Sequence, residues 1–329
     1  MASTKKRIPP RKPLMPSMSR YERVWSAVHG GEVDRPPVAF WHHFQPGGSG
    51  HRMADVTAEF FDEEFELDIV KIMPDLPYPY PRNSIKKIEE WLSLEPLDPM
   101  RSRFYIQRME SVVQLRQLIG LEAPIVVTVF SPLTEALYMA ESTELFLRHA
   151  EESPATVHEA MRTLAENLRT HNRMMLEAGA DGLFFALQGC STAVMPEHVY
   201  REFGRPYDLM ALQGTEAGWL NILHVHGEKD LMMDLVVDYP VSVLSWSDRI
   251  AGPSLREMRA KTSKTLMGGW NEFGAIYKGD IAKIRSEAHD AVKQTGGRKF
   301  ILAPGCSVPD DIDHNFLVEA RAIAEELAN

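Results

Sequence analysis

The sequence predicts a (β/α)8 barrel, because strand-like and helix-like segments alternate along nearly all of its 329 residues. Eight short runs are rich in β-branched and aromatic residues, and each ends in glycine, proline or polar residues. Most of these runs are continuously apolar rather than alternating, which is typical of strands buried on both faces. Eight such strands, each followed by helix, are the pattern of this barrel with a few extra helices.

The eight predicted strands are spread along the chain. In chain order they are PPVAFW (36–41), LDIVKIM (67–73), PIVVTVF (124–130), DGLFFAL (181–187), LNILHVH (220–226), VSVLSWS (241–247), TLMGGW (265–270) and KFILAPG (299–305). The wide interval between the second and third strands predicts an extra helical excursion around 84–120. The rival architecture is an open doubly wound sheet, but no G-x-G-x-x-G motif follows the first strand.

The helical segments fill the intervals between the later strands. They are 143–179, 196–218, 254–262, 280–297 and 313–328. The first of these is long enough for two helices, and Gly179 is typical of a helix end just before the fourth strand.

Composition excludes several classes of protein. The formal net charge is −10, whereas proteins that bind nucleic acids carry basic patches. No apolar run approaches the roughly 20 residues of a membrane span, and the basic N-terminus lacks the apolar segment of a secretory signal. The only cysteines, Cys190 and Cys306, cannot form a disulfide framework, which favours a reducing, cytoplasmic compartment. We expect residues 1–18 to form a disordered Pro-rich tail and residues 19–329 to form the barrel.

Polar residues gather where the predicted strands end, and the active site of such a barrel lies at these carboxyl ends. The residues concerned are His42, His43, Asp75, Ser131, Gln188, Cys190, His224, His226, Trp246, Asp248, Arg249, Gly268, Gly269, Asn271 and Cys306. Several have purely structural alternatives: Asp75 as a turn residue, Ser131 as a helix N-cap, and Asp248 with Arg249 as a local ion pair. His42 and His43 are adjacent in a strand, so at most one of them faces the barrel mouth.

The motif HVH at 224–226 predicts a metal site. Residues two apart on a strand point the same way, so His224 and His226 present two imidazoles on one face. A thiolate from Cys306 would complete three protein ligands, and three ligands with one open position are typical of catalytic zinc. The alternative is a strand that ends in two hydrogen-bonded histidines with no ligand role.

The motifs ILHVHG, PVSVLSWSDR followed by PSLREMR, LMGGW and FILAPGCSVPDD occur in an order that resembles the uroporphyrinogen decarboxylase superfamily. GADGLFFALQ followed by YREFGRPYDLM also fits the fourth βα unit of that family. The resemblance runs from about Ser19 to the C-terminus and implies the same barrel fold.

Two branches of the superfamily bear on function. Decarboxylases of uroporphyrinogen III use neither metal nor cofactor, and they hold substrate carboxylates with arginines in an MRQAGR-like segment after the first strand. This chain has FWHHFQPGGSGHR there, with Arg52 the one arginine nearby, so the mouth offers histidines instead. Zinc-dependent methyltransferases of the other branch carry HxC after strand five and a cysteine after strand eight. His224 and Cys306 match these positions, and His226 stands where that pattern has cysteine.

The resemblance therefore implies a zinc-dependent methyltransferase that moves a methyl group between a corrinoid and a small acceptor such as a thiol. The zinc ligands would be His224, His226 and Cys306, while Asp75, His42 or His43 would orient the acceptor or move protons. The remaining predicted residues would bind substrate: Trp41, Arg52, Gln188, Trp246, Asp248 and Arg249. A corrinoid protein is the expected partner, together with a second copy of the chain in a homodimer.

Two alternatives stay open. The first is a metal-free decarboxylase of a carboxylated substrate, in which Asp75 and either Arg52 or Arg249 handle charge. The second is a non-catalytic carrier of a corrinoid or tetrapyrrole that reuses the barrel.

Overall fold

The computed structural model describes residues 17–44, 49–76 and 78–328. Of the predicted tail, residues 1–16 lie outside the described residues. Among the residues that are described, no helix combines the length and the apolar character needed to cross a membrane.

Seven parallel strands form one sheet in simple sequential order, which confirms the predicted barrel-type α/β fold. They are β1 (Val70–Ile72), β2 (Ile125–Phe130), β3 (Gly182–Leu187), β4 (Ile222–Val225), β5 (Val243–Trp246), β6 (Thr265–Trp270) and β7 (Phe300–Pro304). Every strand residue except the last of β2 is buried, which agrees with the continuous apolar runs.

The predicted first strand, 36–41, is reduced to a single parallel bridge between Val38 and Leu302. The amide of Leu302 donates to the Pro37 carbonyl at 2.8 Å, and the amide of Asp68 donates to the Val38 carbonyl at 3.0 Å. This segment therefore bonds to β7 on one side and to the residues before β1 on the other, which closes the ring. Pro36 and Pro37 have no N–H to donate, so the ladder cannot extend towards the N-terminus.

A buried cluster of charged residues stabilises the point where the ring of strands closes. Asp68 is fully buried and accepts hydrogen bonds from Arg23 Nη1 and Arg35 Nη1, each at 2.6 Å. Its Oδ2 also accepts the amide N–H of Val38 at 2.8 Å. One carboxylate thus ties the first helix, the bridge segment and the start of β1 together.

Twelve α-helices are assigned among the described residues. They are α1 (Arg20–His29), α2 (Gly50–Ala58), α3 (Arg103–Ile119), α4 (Pro132–Met139), α5 (Thr143–Glu152), α6 (Pro154–Glu177), α7 (Glu197–Val199), α8 (Arg205–Ala211), α9 (Leu255–Arg259), α10 (Ala275–Lys278), α11 (Ile281–Thr295) and α12 (His314–Glu326).

The helices between the strands largely follow the predicted segments. The predicted excursion contains α3, preceded by a 3-10 turn at Ile88–Ser93. The segment 143–179 divides into α5 and α6, because Pro154 starts a new helix after Ser153. The segment 196–218 is shorter than expected: a π-helical turn at Tyr200–Gly204 separates α7 from α8, and α8 ends at Ala211.

Candidate functional site

A cavity of about 980 Å³ opens among residues that lie at or beyond the carboxyl ends of the strands. Its wall includes six of the residues that the strand-end pattern singled out: His43, Asp75, Gln188, His224, His226 and Cys306. Trp41 also lines it. The position agrees with the general rule for barrels, in which the strand carboxyl ends and the loops after them build the site.

His224, His226 and Cys306 converge on one point at the edge of this cavity. His224 belongs to β4, His226 follows that strand, and Cys306 lies two residues beyond β7. One ligand atom from each residue lies within 4.8 Å of the others, although the two strands are not neighbours in the sheet. Curvature of the sheet brings the two strand ends together, so these three side chains form a group that could hold a metal ion.

The donor atoms of this group suit zinc. Tetrahedral zinc with ordinary Zn–N and Zn–S bonds separates its nitrogen and sulfur ligands by about 3.6 Å. His226 Nδ1 and Cys306 Sγ are 3.5 Å apart. Two imidazoles and one thiolate also match the ligand types of catalytic zinc, which keeps one position open.

The surroundings of His224 hold its ring in place. Its Nδ1 lies 3.2 Å from Ser245 Oγ on the neighbouring strand, where the two residues are paired in register. Phe184 stacks on the imidazole with ring centroids 5.1 Å apart. Because the hydroxyl occupies Nδ1, Nε2 is the nitrogen left for a metal, and such outer contacts are common for ligand histidines.

The electrostatics keep the three donors in forms that bind metal. Burial lowers the pKa of both His224 and His226, which favours the neutral form of each ring. Burial would raise the pKa of the Cys306 thiol, but the adjacent His224 ring holds that pKa below its usual value. Neutral imidazoles and an easily ionised thiol are the protonation states that metal binding requires.

His43 and Asp75 form a hydrogen-bonded pair in the cavity wall. His43 Nδ1 lies 2.5 Å from Asp75 Oδ1, and Asp75 Oδ2 accepts the amide N–H of Phe44 at 2.8 Å. A histidine oriented by a carboxylate is a common arrangement for moving protons.

His42 points the other way. Its ring packs edge-on against Phe44 and Phe60, with centroids 4.8 and 4.7 Å away, and it does not line the cavity formed by the described residues. Adjacent residues in extended chain face opposite sides, and the structure decides which of the two histidines faces inward.

Trp41 and Gln188, of the predicted substrate-binding residues, line the cavity. The other four do not line it within the described chain. Trp246 is fully buried behind β5 and donates Nε1–H to the Pro253 carbonyl at 2.8 Å. Trp246 is next to Ser245 in β5, and adjacent strand residues point to opposite faces of the sheet. Because Ser245 faces His224, the Trp246 side chain points towards the helices.

Asp248 and Arg249 make contacts outside the cavity, and Arg52 lies on the surface. Asp248 accepts the Gly269 amide N–H at 2.9 Å, and Arg249 pairs with Asp290 at 2.6 Å and donates to two backbone carbonyls. Arg249 Nε also lies 3.7 Å from Asp248 Oδ2, which agrees with the local ion pair given as the structural alternative for that dipeptide. Arg52 is exposed on α2.

Lys71 is a cavity residue that the sequence reasoning missed. It lies in β1, 3% exposed, with Nζ 4.4 Å from the ring centroid of Phe184 and 5.1 Å from that of Trp41. Its Nζ donates to the Met73 sulfur at 3.0 Å, and burial lowers its pKa to about 7. The available signal was a lysine in the middle of the otherwise apolar run LDIVKIM.

Arg82, Arg108 and Glu135 also line the cavity and were missed. Arg108 is buried on α3 and donates to the Thr128 and Leu76 carbonyls, while its Nε has no hydrogen-bond partner among the described residues. Burial raises the pKa of Glu135 to about 8. From the sequence, we expected histidines in place of arginines at the cavity mouth. This expectation is incomplete, because the basic residues Lys71, Arg82 and Arg108 reach the cavity from other elements.

Lys71→Met is expected to change how stability depends on pH. The pKa of Lys71 is about 7 in the fold against 10.5 in the unfolded chain, so between these values only the unfolded chain holds the proton. Stability of the wild type should therefore rise with pH relative to the variant, by about 1.4 kcal/mol per pH unit. The free energy of unfolding of the variant should exceed that of the wild type by the largest amount at and below pH 7.

Urea unfolding of both proteins between pH 6.5 and 9.5, with chelator present, measures this difference. A difference in unfolding free energy that stays constant across the range would contradict the burial effect on Lys71.

Comparison with known proteins identifies relatives of this chain. The family model described as uroporphyrinogen decarboxylase (URO-D) matches residues 67–320. Among curated protein sequences, no match was found.

Solved structures share the fold. A methyltransferase from Methanosarcina mazei superposes with a TM-score of 0.73 at 20% identity, covering 94% of this chain and 99% of that chain. A B12-independent methionine synthase from Shewanella sp. W3-18-1, in complex with selenomethionine, gives a TM-score of 0.58 at 12% identity, with 90% and 95% covered. At these identities the likeness establishes the fold alone.

Proposed function

The chain belongs to the uroporphyrinogen decarboxylase family, and from this premise we propose that it is a zinc-dependent methyltransferase. The observation that carries the proposal is the convergence of His224, His226 and Cys306, with ligand atoms within 4.8 Å, at the edge of the strand-end cavity. The methyl acceptor would be a small thiol or similar nucleophile. The methyl donor would be a methylcorrinoid, carried by a partner protein.

The three ligand residues differ in exposure. His224 is buried, whereas His226 is exposed, and both line the cavity together with Cys306. A small acceptor would occupy the cavity, while a larger donor would approach from the exposed side of His226. A zinc ion held by these residues would act as a Lewis acid that lowers the pKa of the acceptor thiol.

The residues of the chain would manage the proton and the geometry. His43, held by Asp75 at 2.5 Å, would take the proton that the acceptor thiol loses. Trp41 and Phe184, which flank His224, would exclude water from the acceptor. In the transfer, a sulfur–carbon bond forms as the cobalt–carbon bond of the donor breaks, and the electron pair of that bond stays on cobalt.

The cations of the cavity favour a second candidate function. Lys71, Arg82 and Arg108 line it, and none of the three forms an ion pair with a carboxylate within the described part of the chain. Such cations suit a substrate with carboxylates, as in a metal-free decarboxylase of the same family. Turnover of uroporphyrinogen III by chelator-treated protein would favour this candidate over methyl transfer.

Zinc content tests the proposed function. Protein purified without an affinity tag or added metal should contain about one equivalent of zinc per chain, and His224→Ala should lose it, because two ligands cannot retain the ion. Elemental analysis measures both. His198→Ala, which removes an exposed histidine on α7, is the matched control and should keep the metal.

Two results would count against zinc-dependent transfer. One is wild-type protein with less than about a tenth of an equivalent of zinc after exposure to the ion. The other is a zinc content that His224→Ala leaves unchanged.

A further inference from the structure

Glu272 is a buried carboxylate that the proposed mechanism does not use. It follows β6 by two residues and is 1% exposed. Its Oε1 accepts a hydrogen bond from Ser247 Oγ at 2.5 Å, whereas its Oε2 has no partner among the described residues. Burying a carboxylate oxygen without a hydrogen-bond partner costs free energy of folding. Its presence here therefore indicates a positively charged or proton-donating group with which it interacts.

The unpartnered oxygen lies beside the loop that carries the thiol ligand. A Cβ placed on Gly305, the residue before Cys306, would lie 3.0 Å from Glu272 Oε2 and 2.4 Å from Ser247 Cα. Glycine at this position therefore allows the carboxylate to approach the backbone closely.

The charge of the metal site gives this carboxylate a role. Zinc with two neutral imidazoles and one thiolate retains one net positive charge, and a buried net charge is unfavourable unless an opposite charge lies close by. Burial raises the pKa of Glu272, and a positive metal centre nearby would favour its ionised form. An ionised Glu272 would supply one negative charge beside the loop that carries Cys306. It would supply the negative charge that a second thiolate ligand would carry, because position 226 is histidine rather than cysteine.

His226 also needs an outer partner. Its Nδ1 faces Cys306, so its other ring nitrogen carries the proton when Nδ1 binds a metal. Ligand histidines usually direct that N–H at a carboxylate, carbonyl or water, as Ser245 serves His224 on the opposite side. Burial lowers the pKa of His226, and two carboxylates, the buried Glu272 and the exposed Glu228, act to raise it.

We propose that Glu272 is the positioning carboxylate of the metal centre, which offsets the charge of the bound ion and orients His226. The inference rests on the proposed function, because it requires a metal at His224, His226 and Cys306. Glu272 acts through the ligands and does not line the cavity formed by the described residues.

Zinc affinity of the full chain tests this role by competition with a chromogenic chelator. Glu272→Gln keeps the shape and removes the charge, so we expect zinc to bind 10- to 100-fold more weakly. Glu228→Gln removes the exposed charge and should change the affinity by less than about threefold. Glu272→Asp, which keeps the charge, should bind zinc more tightly than Glu272→Gln, whereas a purely structural role predicts the reverse.

The outcomes separate this inference from the proposed function. Wild-type protein that binds no zinc overturns both. Wild-type protein that binds zinc, together with an unchanged affinity in Glu272→Gln, overturns only the role of Glu272. If Glu272→Gln does not fold, as judged by circular dichroism, Ser247→Ala replaces it. That variant frees Oε1, and we expect at least a threefold weaker affinity; an unchanged affinity would overturn the inference.

Discussion

Cys306→Ser is expected to lower the rate of methyl transfer from methylcobalamin to an added thiol by on the order of 10³-fold. Cys306 supplies the only thiolate of the candidate triad, and its sulfur lies 3.5 Å from His226 Nδ1. A serine hydroxyl is a far poorer zinc ligand at neutral pH, so the ion and its several kcal/mol of Lewis-acid stabilisation should be lost together. The absorbance of methylcobalamin, with 2-mercaptoethanol in excess, follows the reaction.

Cys190→Ala is the matched control, because it removes the other cysteine of the chain. Cys190 is buried, with its sulfur 3.7 Å from the Met232 carbonyl, and it does not belong to the ligand group. The rate of this variant should stay within a few-fold of the wild type. A Cys306→Ser protein that keeps both its zinc and its rate would exclude the triad as the reaction centre.

Asp68→Ala is expected to cost about 3–5 kcal/mol in the free energy of unfolding. The carboxylate is fully buried and pairs with Arg23 and Arg35, which are themselves 5% and 3% exposed. Its removal leaves two buried guanidinium groups short of a partner and frees the Val38 amide at the barrel closure. Urea denaturation at neutral pH measures the loss.

Asp234→Ala provides the comparison for this stability effect. Asp234 pairs with Lys261 at 2.6 Å, but the two side chains are 73% and 44% exposed, so the expected cost is below about 1 kcal/mol. Equal losses in the two variants would show that burial of the Asp68 cluster does not set its contribution.

Much of the fold follows from local patterns in the sequence. Continuous apolar runs predicted the strands from β1 to β7, and the order of strands and helices predicted the parallel barrel. The first strand was predicted too long. An apolar run such as PPVAFW indicates that the segment is buried, but a strand also needs backbone N–H donors for its hydrogen-bond ladder. Pro36 and Pro37 lack these donors.

The candidate site was predictable only in part. Residues two apart on one strand share a face, so His224 and His226 could be paired from sequence, and the strand-end rule added Cys306. Trp246 and Asp248 satisfy the same rule but lie outside the cavity lining of the described chain, because nearness to a strand end does not fix the direction of a side chain.

The sequence by itself determined the barrel and the three donor types of the candidate metal centre, because strand periodicity and the strand-end rule depend on local spacing. Only the tertiary structure decided that His43 rather than His42 faces the cavity, and that Lys71 and Arg108 reach it. It also decided that the unpartnered oxygen of Glu272 lies beside Gly305, next to the thiol ligand. These contacts join residues far apart in the chain, and burial and side-chain direction, which set their chemistry, exist only once the ring has closed.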